Sequence, residues 1–436
     1  MNCIETFSDV ERELGISFYV TPPIRIEGYI KSRPEDFVVQ EILKGNIVLP
    51  VQRPVNNFKI PLSDDGSYVR AVLVKKNIDT FSAITFLSKL LRLSLENFVF
   101  LGLKDANALT SQLISIRYSG KLPNIWTRKV KIIIHASSSI PLSRCELWGN
   151  MFTIHVRMKF PCEEFMEIFS NLMERLLEGI PAYYGHQRFG VEKPYTFMVG
   201  RAVVKRDFDE AVKLILSSRT GKRLLSGDLS SSLKFTVYEK NIIDAIYAGK
   251  NSLDSFRRIP LFLQRFFIHS YQSYLFNCMI SERIRCNLPL SNPLKGDLIG
   301  LSQNGSIPFN NVFRVSDFNE EKIRFFLKKG LLSIVYPILG YGLTISPKYS
   351  ALEPVSSILE RERVQLKDFY FRDFPDLNSK GYYRPLMFKP YDFRLLNSDS
   401  KNRMVLKFSF KLKRGFYASI LLRELIKPRN LFISGF

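Results

Sequence analysis

The sequence predicts an α/β protein of the α+β kind, strand-rich toward both ends and helix-rich in the middle. Three observations predict it. Met151 to Phe160 and Met404 to Leu412 alternate strictly between apolar and polar residues, the period of a strand with one buried face. Asp207 to Arg285 is mainly helical in period, ending in the long run from Leu261 to Arg285. The first two hundred residues carry both kinds of pattern.

In chain order, Pro22 to Leu49 is strand-rich around a Lys-Ser-Arg-Pro turn, and Tyr68 to Lys76 reads as a further strand. A helix is expected from Thr80 to Leu93, with Asp79 as N-cap and Phe81, Ile84, Leu87, Leu90 and Leu91 as its apolar stripe. Asn97 to Gly102 reads as a buried strand leading into the loop Leu103-Lys104-Asp105-Ala106. In the strand from Met151, Phe152, Ile154, Val156, Met158 and Phe160 share a face opposite His155, Arg157 and Lys159. Glu163 to Glu178 reads as an amphipathic helix closed by Gly179. Beyond Arg285 a Gly/Pro/Asn-rich stretch runs to about Lys348, and a Glu/Arg-rich helix follows near Leu359. Gly330 to Pro347 is uncharged throughout, but its three glycines and two prolines predict loops and short strands, not a membrane span. In the last strand Met404, Leu406, Phe408, Phe410 and Leu412 point inward and Lys407, Ser409 and Lys411 outward.

The 436 residues are enough for two or three folding units. The 63 Lys and Arg against 41 Asp and Glu leave a net charge of +22. That surplus is self-repulsive, and a polyanionic partner offsets it; nucleic acid, held through its phosphates, is the expected one. Residues 401–436 hold nine Lys and Arg against Glu424 alone, interleaved with Phe408, Phe410, Phe416 and Tyr417, a mixture that suits an RNA-contacting sheet. The five cysteines form no CxxC pair and the N-terminus lacks a signal pattern, so a cytoplasmic protein is expected. There is no GxxxxGK[ST], no third glycine beside Gly340 and Gly342, no zinc spacing among the four histidines and no GxSxG. These absences disfavour P-loop, dinucleotide-dependent, zinc-dependent and serine-hydrolase chemistry. An enzyme of this composition would work with ordinary side chains, without metal or cofactor.

Three segments point further. They are Gly28-Tyr-Ile-Lys31-Ser-Arg-Pro34-Glu35-Asp36-Phe37-Val-Val39-Gln-Glu41, Gly102-Leu-Lys104-Asp105-Ala-Asn-Ala108-Leu-Thr110-Ser-Gln112, and Tyr183-Tyr184-Gly185-His-Gln187-Arg188-Phe189-Gly190. In that order they resemble the TruD family of tRNA pseudouridine synthases in its archaeal-like form, whose members carry K-x-x-P-E-D-F-x-V-x-E, G-x-K-D-x-x-A-x-T-x-Q and an aromatic-F-G-x-Q-R-F-G run. Tyr271 to Asn277 and Leu421 to Leu425 add further echoes, so the resemblance spans nearly the whole chain.

The resemblance implies a pseudouridine synthase core with a mixed, mainly antiparallel sheet, interrupted by a helix-rich domain of the family's own. The expected division is 1–200 and 381–436 for the core, with 201–380 as the insertion. It implies isomerisation of uridine to pseudouridine in tRNA, at position 13 and in some members also position 35 of precursor tRNA, without cofactor. Asp105 matches the catalytic aspartate. It would add covalently to base or sugar, or abstract the sugar 2′ proton; both routes stay open. Lys31 is the candidate cation beside it, while Lys104 is expected to point away. Phe37, Tyr184 and Phe189 are the candidate aromatic contacts to an unstacked base. Glu41, Gln112, Gln187 and Arg188 are supporting residues, with Arg188 read as structural. The chain departs from the family at Ala106 and Asn107, where two basic residues are common, and at Ala182, where Asn is. The first departure removes phosphate contacts and the second a polar contact near the base. An RNA-binding or chaperone protein of this fold, or another RNA-modifying enzyme such as a methyltransferase, are the competing readings. A monomer is the simplest expectation.

Overall fold

A computed structural model describes residues 3–23, 28–52, 67–118, 122–158, 163–190, 194–217, 237–301, 307–308, 311–346, 348–396 and 405–436, with backbone alone at 163–168 and 237. Met404, Lys159 and Phe160 lie outside these residues, as do 24–27 of the strand-rich start and 218–236 of the helical middle.

Alternating sequence becomes one large sheet. Its strands run in the order Tyr391–Leu396, Val405–Lys413, Leu147–Met158, Phe37–Leu43, Leu109–Arg117, Tyr68–Lys76, Val130–Ser138, Ile125–Trp126. Neighbours are antiparallel except Phe37–Leu43 and Leu109–Arg117, which pair in parallel through Val38–Leu109, Val39–Thr110 and Gln40–Ser111. The predicted faces hold. Phe152 stands opposite Phe410 on one side and Val39 on the other, and Ile154 lies between Phe408 and Phe37. These residues join Leu172 and Leu176 of helix Glu163–Glu178 and Leu421, Leu422 and Leu425 of helix Ala418–Ile426 in the main core. Gly179 closes the first of these helices at φ +127°.

Asp79 caps helix Thr80–Leu91 through its Oδ1, which accepts from Ser82 N at 2.9 Å. The buried stripe is narrower than predicted and turned: Thr80, Ala83, Ile84 and Leu87 face the sheet, while Phe81 and Leu90 are exposed. One helix packed on a twisted sheet covers a face only about 100° wide, too narrow for all five predicted residues. The strand after it is short, Phe98–Phe100, and only half-buried.

Helices Thr196–Val204, Phe208–Ser217, Val237–Tyr247, Ser252–Phe256 and Leu261–Arg285 make up the helical middle. Leu261–Arg285 is buried on most sides, and Thr196–Val204 crosses it at Gly200, where a β-carbon would come within 2.0 Å of the Phe267 carbonyl oxygen. The middle also holds a four-stranded antiparallel sheet not anticipated from sequence, ordered Val312–Arg314, Leu298–Leu301, Leu332–Ile338, Tyr382–Pro385. Three of these strands have four residues or fewer, too few for a legible period of two, and Leu332–Ile338 is an apolar run without strict alternation. Leu332–Ile338 does lie in the uncharged stretch read as loops and short strands, and no helix among the described residues is long and apolar enough to cross a membrane.

Candidate active site

The loop 101–108 connects strand Phe98–Phe100 to Leu109–Arg117, and it emerges where the parallel seam begins. A buried polar frame holds it. Thr80 Oγ1 donates to Gln112 Oε1 (3.1 Å) and accepts from Lys104 N (3.0 Å), and Gln112 Nε2 donates to the Gly102 carbonyl (3.2 Å). Gln112 is thus a brace for the loop. Asn107, one of the departures, donates from Nδ2 to the Lys31 carbonyl (2.9 Å) and ties this loop to the first motif.

Lys31 adopts a left-handed backbone conformation, φ +60°. Its Nζ lies 3.7 Å from Asp105 Oδ1 and 4.5 Å from the centre of the Phe37 ring. The Asp105 side chain is 35% exposed, at the edge of a cavity of about 330 Å³. Lys104, expected to point away, instead lies on the lining of the same cavity, where its Nζ meets Glu41 Oε1 at 2.8 Å and Asn150 Oδ1 at 3.0 Å. Glu41 Oε2 accepts from Leu113 N at 2.8 Å. The Glu41–Lys104 pair, both side chains buried, anchors the loop to the sheet.

Sequence reasoning missed Lys75. It sits near the end of a strand, where a lysine is normally solvated, but it is fully buried. Its Nζ donates to the carbonyls of Ile78 (2.8 Å), Lys104 (3.2 Å) and Asp105 (2.6 Å). Burial pushes its ammonium down to about 8; Asp105 and Asp79 oppose that shift and Lys104 adds to it.

With Asp105 and Lys104, the cavity is lined by Phe37, Val39, Leu103, Asn150, Phe152 and Gln187, and by the consecutive residues Phe416, Tyr417, Ala418 and Ser419. That run of four was not named from sequence as a site. Its only signals were the aromatics Phe416 and Tyr417 and the echo just after them. Tyr184 and Phe189 do not line this cavity. Tyr184 is buried behind Tyr417, with ring centroids 5.9 Å apart, its hydroxyl 3.1 Å from that of Tyr382 and the Arg384 guanidinium 4.2 Å from its ring centre. Phe189 is fully buried edge-on against Phe197. Arg188 donates to Ser273 Oγ (3.3 Å) and lies over the Phe266 ring, so its partners among the described residues are a hydroxyl and a ring. Ala182 is fully buried; its carbonyl accepts from Arg384 Nε at 3.0 Å. Among the described residues no three His, Cys, Asp or Glu side chains converge as metal ligands would.

The family model described as tRNA pseudouridine synthase D (TruD) matches residues 13–425. A probable tRNA pseudouridine synthase D of Pyrobaculum islandicum is 30% identical over 98% of both chains. One of Archaeoglobus fulgidus is 30% identical over 96% of this chain and 99% of its own. A crystal structure from Methanosarcina mazei assigned to tRNA pseudouridine synthase D (TruD) superposes with a TM-score of 0.74 at 25% identity, covering 97% of this chain and 98% of its own.

Proposed function

The chain belongs to the tRNA pseudouridine synthase D (TruD) family, and from that premise we propose that Asp105 carries the chemistry and that uridine 13 of tRNA is the target. The protein is an isomerase that converts uridine to pseudouridine in tRNA. One observation carries the assignment of the site: the Asp105 carboxylate stands at the edge of an aromatic-walled cavity with the Lys31 ammonium 3.7 Å away.

The reaction cuts the bond from C1′ to N1, turns the base, and joins C1′ to C5. It exchanges no electrons with a partner, so a carboxylate suffices, by covalent addition to base or sugar or by taking the 2′ proton. A uridine reaches the cavity only when unstacked from its RNA, at a cost of a few kcal/mol that stacking on aromatic walls offsets. Phe37, Phe152 and Tyr417 are placed for that role, with Tyr184 and Phe189 supporting the wall from behind. Lys31 balances the carboxylate, while Glu41, Lys104, Gln112 and Asn107 hold its loop. The same reading takes 1–200 and 381–436 as the core and 201–380 as an insertion, supported by the pairing of Leu147–Met158 with Val405–Lys413. It also takes the protein as a cytoplasmic monomer whose basic surplus serves tRNA.

The test is incubation with unmodified tRNA transcripts followed by chemical mapping of pseudouridine. Conversion at uridine 13, and none in a transcript carrying cytidine there, is expected; a second product at position 35 of precursor tRNA would extend the range. Product only elsewhere would overturn the target, and no product at any uridine would leave an RNA-binding protein.

Lys75 adds a pH dependence. As an ammonium it has three N–H groups for three carbonyls; as a neutral amine it has two, and its lone pair faces a third oxygen. The turnover number is therefore expected to fall as pH rises through about 8. Unfolded lysine titrates near 10.4, so between about 8 and that value the unfolded state holds more protons and stability rises with pH. Lys75 itself therefore does not weaken the fold in that window, and unfolding curves taken at each pH separate lost turnover from lost fold. Lys75→Met should reduce turnover about 100-fold through a misplaced loop, with KM little changed and no fall near pH 8. An unchanged alkaline limb in the variant would refute this.

A further inference from the structure

We propose that the N-terminal end of helix Ala418–Ile426, together with the Ser419 hydroxyl, receives a carbonyl oxygen of the uracil ring. The inference rests on the reading of the cavity as the uridine pocket. Tyr417, the residue before the helix, is extended at φ −111°, ψ 125°, and no side chain caps the first turn. Such an end presents backbone N–H groups and the positive pole of the helix. Here it opens on the cavity, because Tyr417, Ala418 and Ser419 are consecutive lining residues.

A second, independent observation points to a ligand. Ser419 is only 4% exposed, yet its Oγ has no hydrogen-bond partner among the described residues. Buried hydroxyls are normally paired, and one left unpaired beside a cavity calls for an acceptor from outside. Gly185 leaves the space in which that hydroxyl sits: a β-carbon there would come within 2.7 Å of Ser419 Oγ and 2.9 Å of the Tyr417 ring.

The chemistry favours a nucleobase oxygen over a phosphate. The phosphates of an extruded nucleotide stay with the RNA backbone at the surface, whereas Ser419 lies at a buried wall flanked by Phe37, Phe152, Phe416 and Tyr417. Hydroxyl and amide donors match a carbonyl acceptor. When C1′–N1 breaks, its electron pair stays on the ring and spreads to the carbonyl oxygens. C5 then bonds to C1′, the C5 proton leaves, and N1 takes up a proton. Donors fixed on the cavity that Asp105 also lines would bind the detached base most strongly while it carries that charge. The helix is held in place for this: Arg423, one turn on, makes paired hydrogen bonds to Glu11 at 2.8 and 2.7 Å.

The experiment compares the full-length wild type, Ser419→Ala and Ser419→Thr on tRNA carrying uridine, 2-thiouridine or 4-thiouridine at the target, since sulfur accepts hydrogen bonds poorly. Ser419→Ala is expected to lower kcat on uridine by about 10- to 100-fold, with KM changed less than about 3-fold. The wild type should lose a similar factor on one of the two thio substrates. Ser419→Ala should show no added loss on that substrate, and Ser419→Thr should keep the wild-type sensitivity. Losses that multiply for both thio substrates would overturn the proposal, as would an unaffected kcat in Ser419→Ala. A KM effect that grows with salt and ignores sulfur would assign the site to phosphate instead. If the wild type forms no pseudouridine from uridine, the pocket reading falls with this one; an active wild type with multiplicative effects sinks this one alone.

Discussion

Asp105→Asn is expected to abolish pseudouridine formation, lowering kcat by about 10⁴-fold or more, the scale for removing a nucleophile or general base. Asn keeps the size and shape of the side chain but cannot add covalently as a carboxylate or take a proton. Folding should be unaffected. The Asp105 side chain is partly exposed, and its one ion-pair contact among the described residues is Lys31 at 3.7 Å; a substitution of that kind changes stability by about 0.5 kcal/mol or less. The loop is held instead through the Asp105 carbonyl by Lys75 and through Lys104 by Glu41, and neither contact involves the carboxylate. Asp105→Glu separates charge from position. It restores the carboxylate but displaces it by a methylene, and about 100-fold loss is expected. Unfolding curves on both variants, alongside single-turnover rates on a tRNA substrate, check the prediction. Activity of Asp105→Asn within 10-fold of wild type would move the chemistry to another residue.

The second large effect concerns stability. Arg423 is fully buried and stacked on Tyr19 at 3.9 Å, and it donates to both oxygens of Glu11, to the Phe18 carbonyl (2.9 Å) and to Glu424 Oε1 (3.0 Å). Glu11 also meets His186 Nε2 at 3.0 Å, and Glu424 Oε2 accepts from Val20 N and Thr21 N. Segments from both ends of the chain and the third motif are thereby tied together. Arg423→Met should destabilise the fold by about 3–5 kcal/mol, because it leaves Glu11 buried without its main counter-charge. Chemical denaturation of variant and wild type measures this, and a difference below 1 kcal/mol would show that Glu11 finds another partner. The same pair sets an acid limit. Burial pushes the Glu11 carboxyl up, but Arg423 and His186 overcome it and hold the group well below the usual carboxylate range. A depressed folded value means stability that is present above the unfolded value near 4.3 and is lost as pH falls below it. Wild type should therefore lose stability on acidification more steeply than Arg423→Met.

Much of the fold was legible because its signals are local. Phe152, Ile154 and Val156 alternate with polar residues whatever their partners, and Asp79 before a helical period is a cap wherever that helix packs. The three motifs were legible for the same reason: Asp105 and Phe37 line one cavity, and the Lys31 ammonium lies within reach of both. Other assignments needed information that a linear pattern lacks. Lys75 looked like a solvated strand end, and its burial comes from the loop that folds over it. Tyr184 and Phe189 stand in a motif run, but an aromatic run shows nothing of which ring faces the cavity; Tyr417 faces it and Tyr184 packs behind. Asn107 looked like the loss of a cation, and in place it is a tie between two loops. Phe81 and Leu90 fitted a helical stripe, yet the helix is turned so that both face water.

By itself, then, the sequence determined the α/β class, the alternating strands and the family membership, and it singled out Asp105 as the expected carboxylate. Each is carried by residues close together in the chain. Only the tertiary structure decided which side chains share the cavity with Asp105. It placed Tyr417 and Ser419 on the same cavity, Lys75 against its loop, and Glu11 against Arg423. Those partners are brought together by sheet register and helix packing across separations of 30 residues for Lys75 and 412 for Glu11 and Arg423. Burial and charge pairing depend on that assembled neighbourhood and not on the neighbours in sequence.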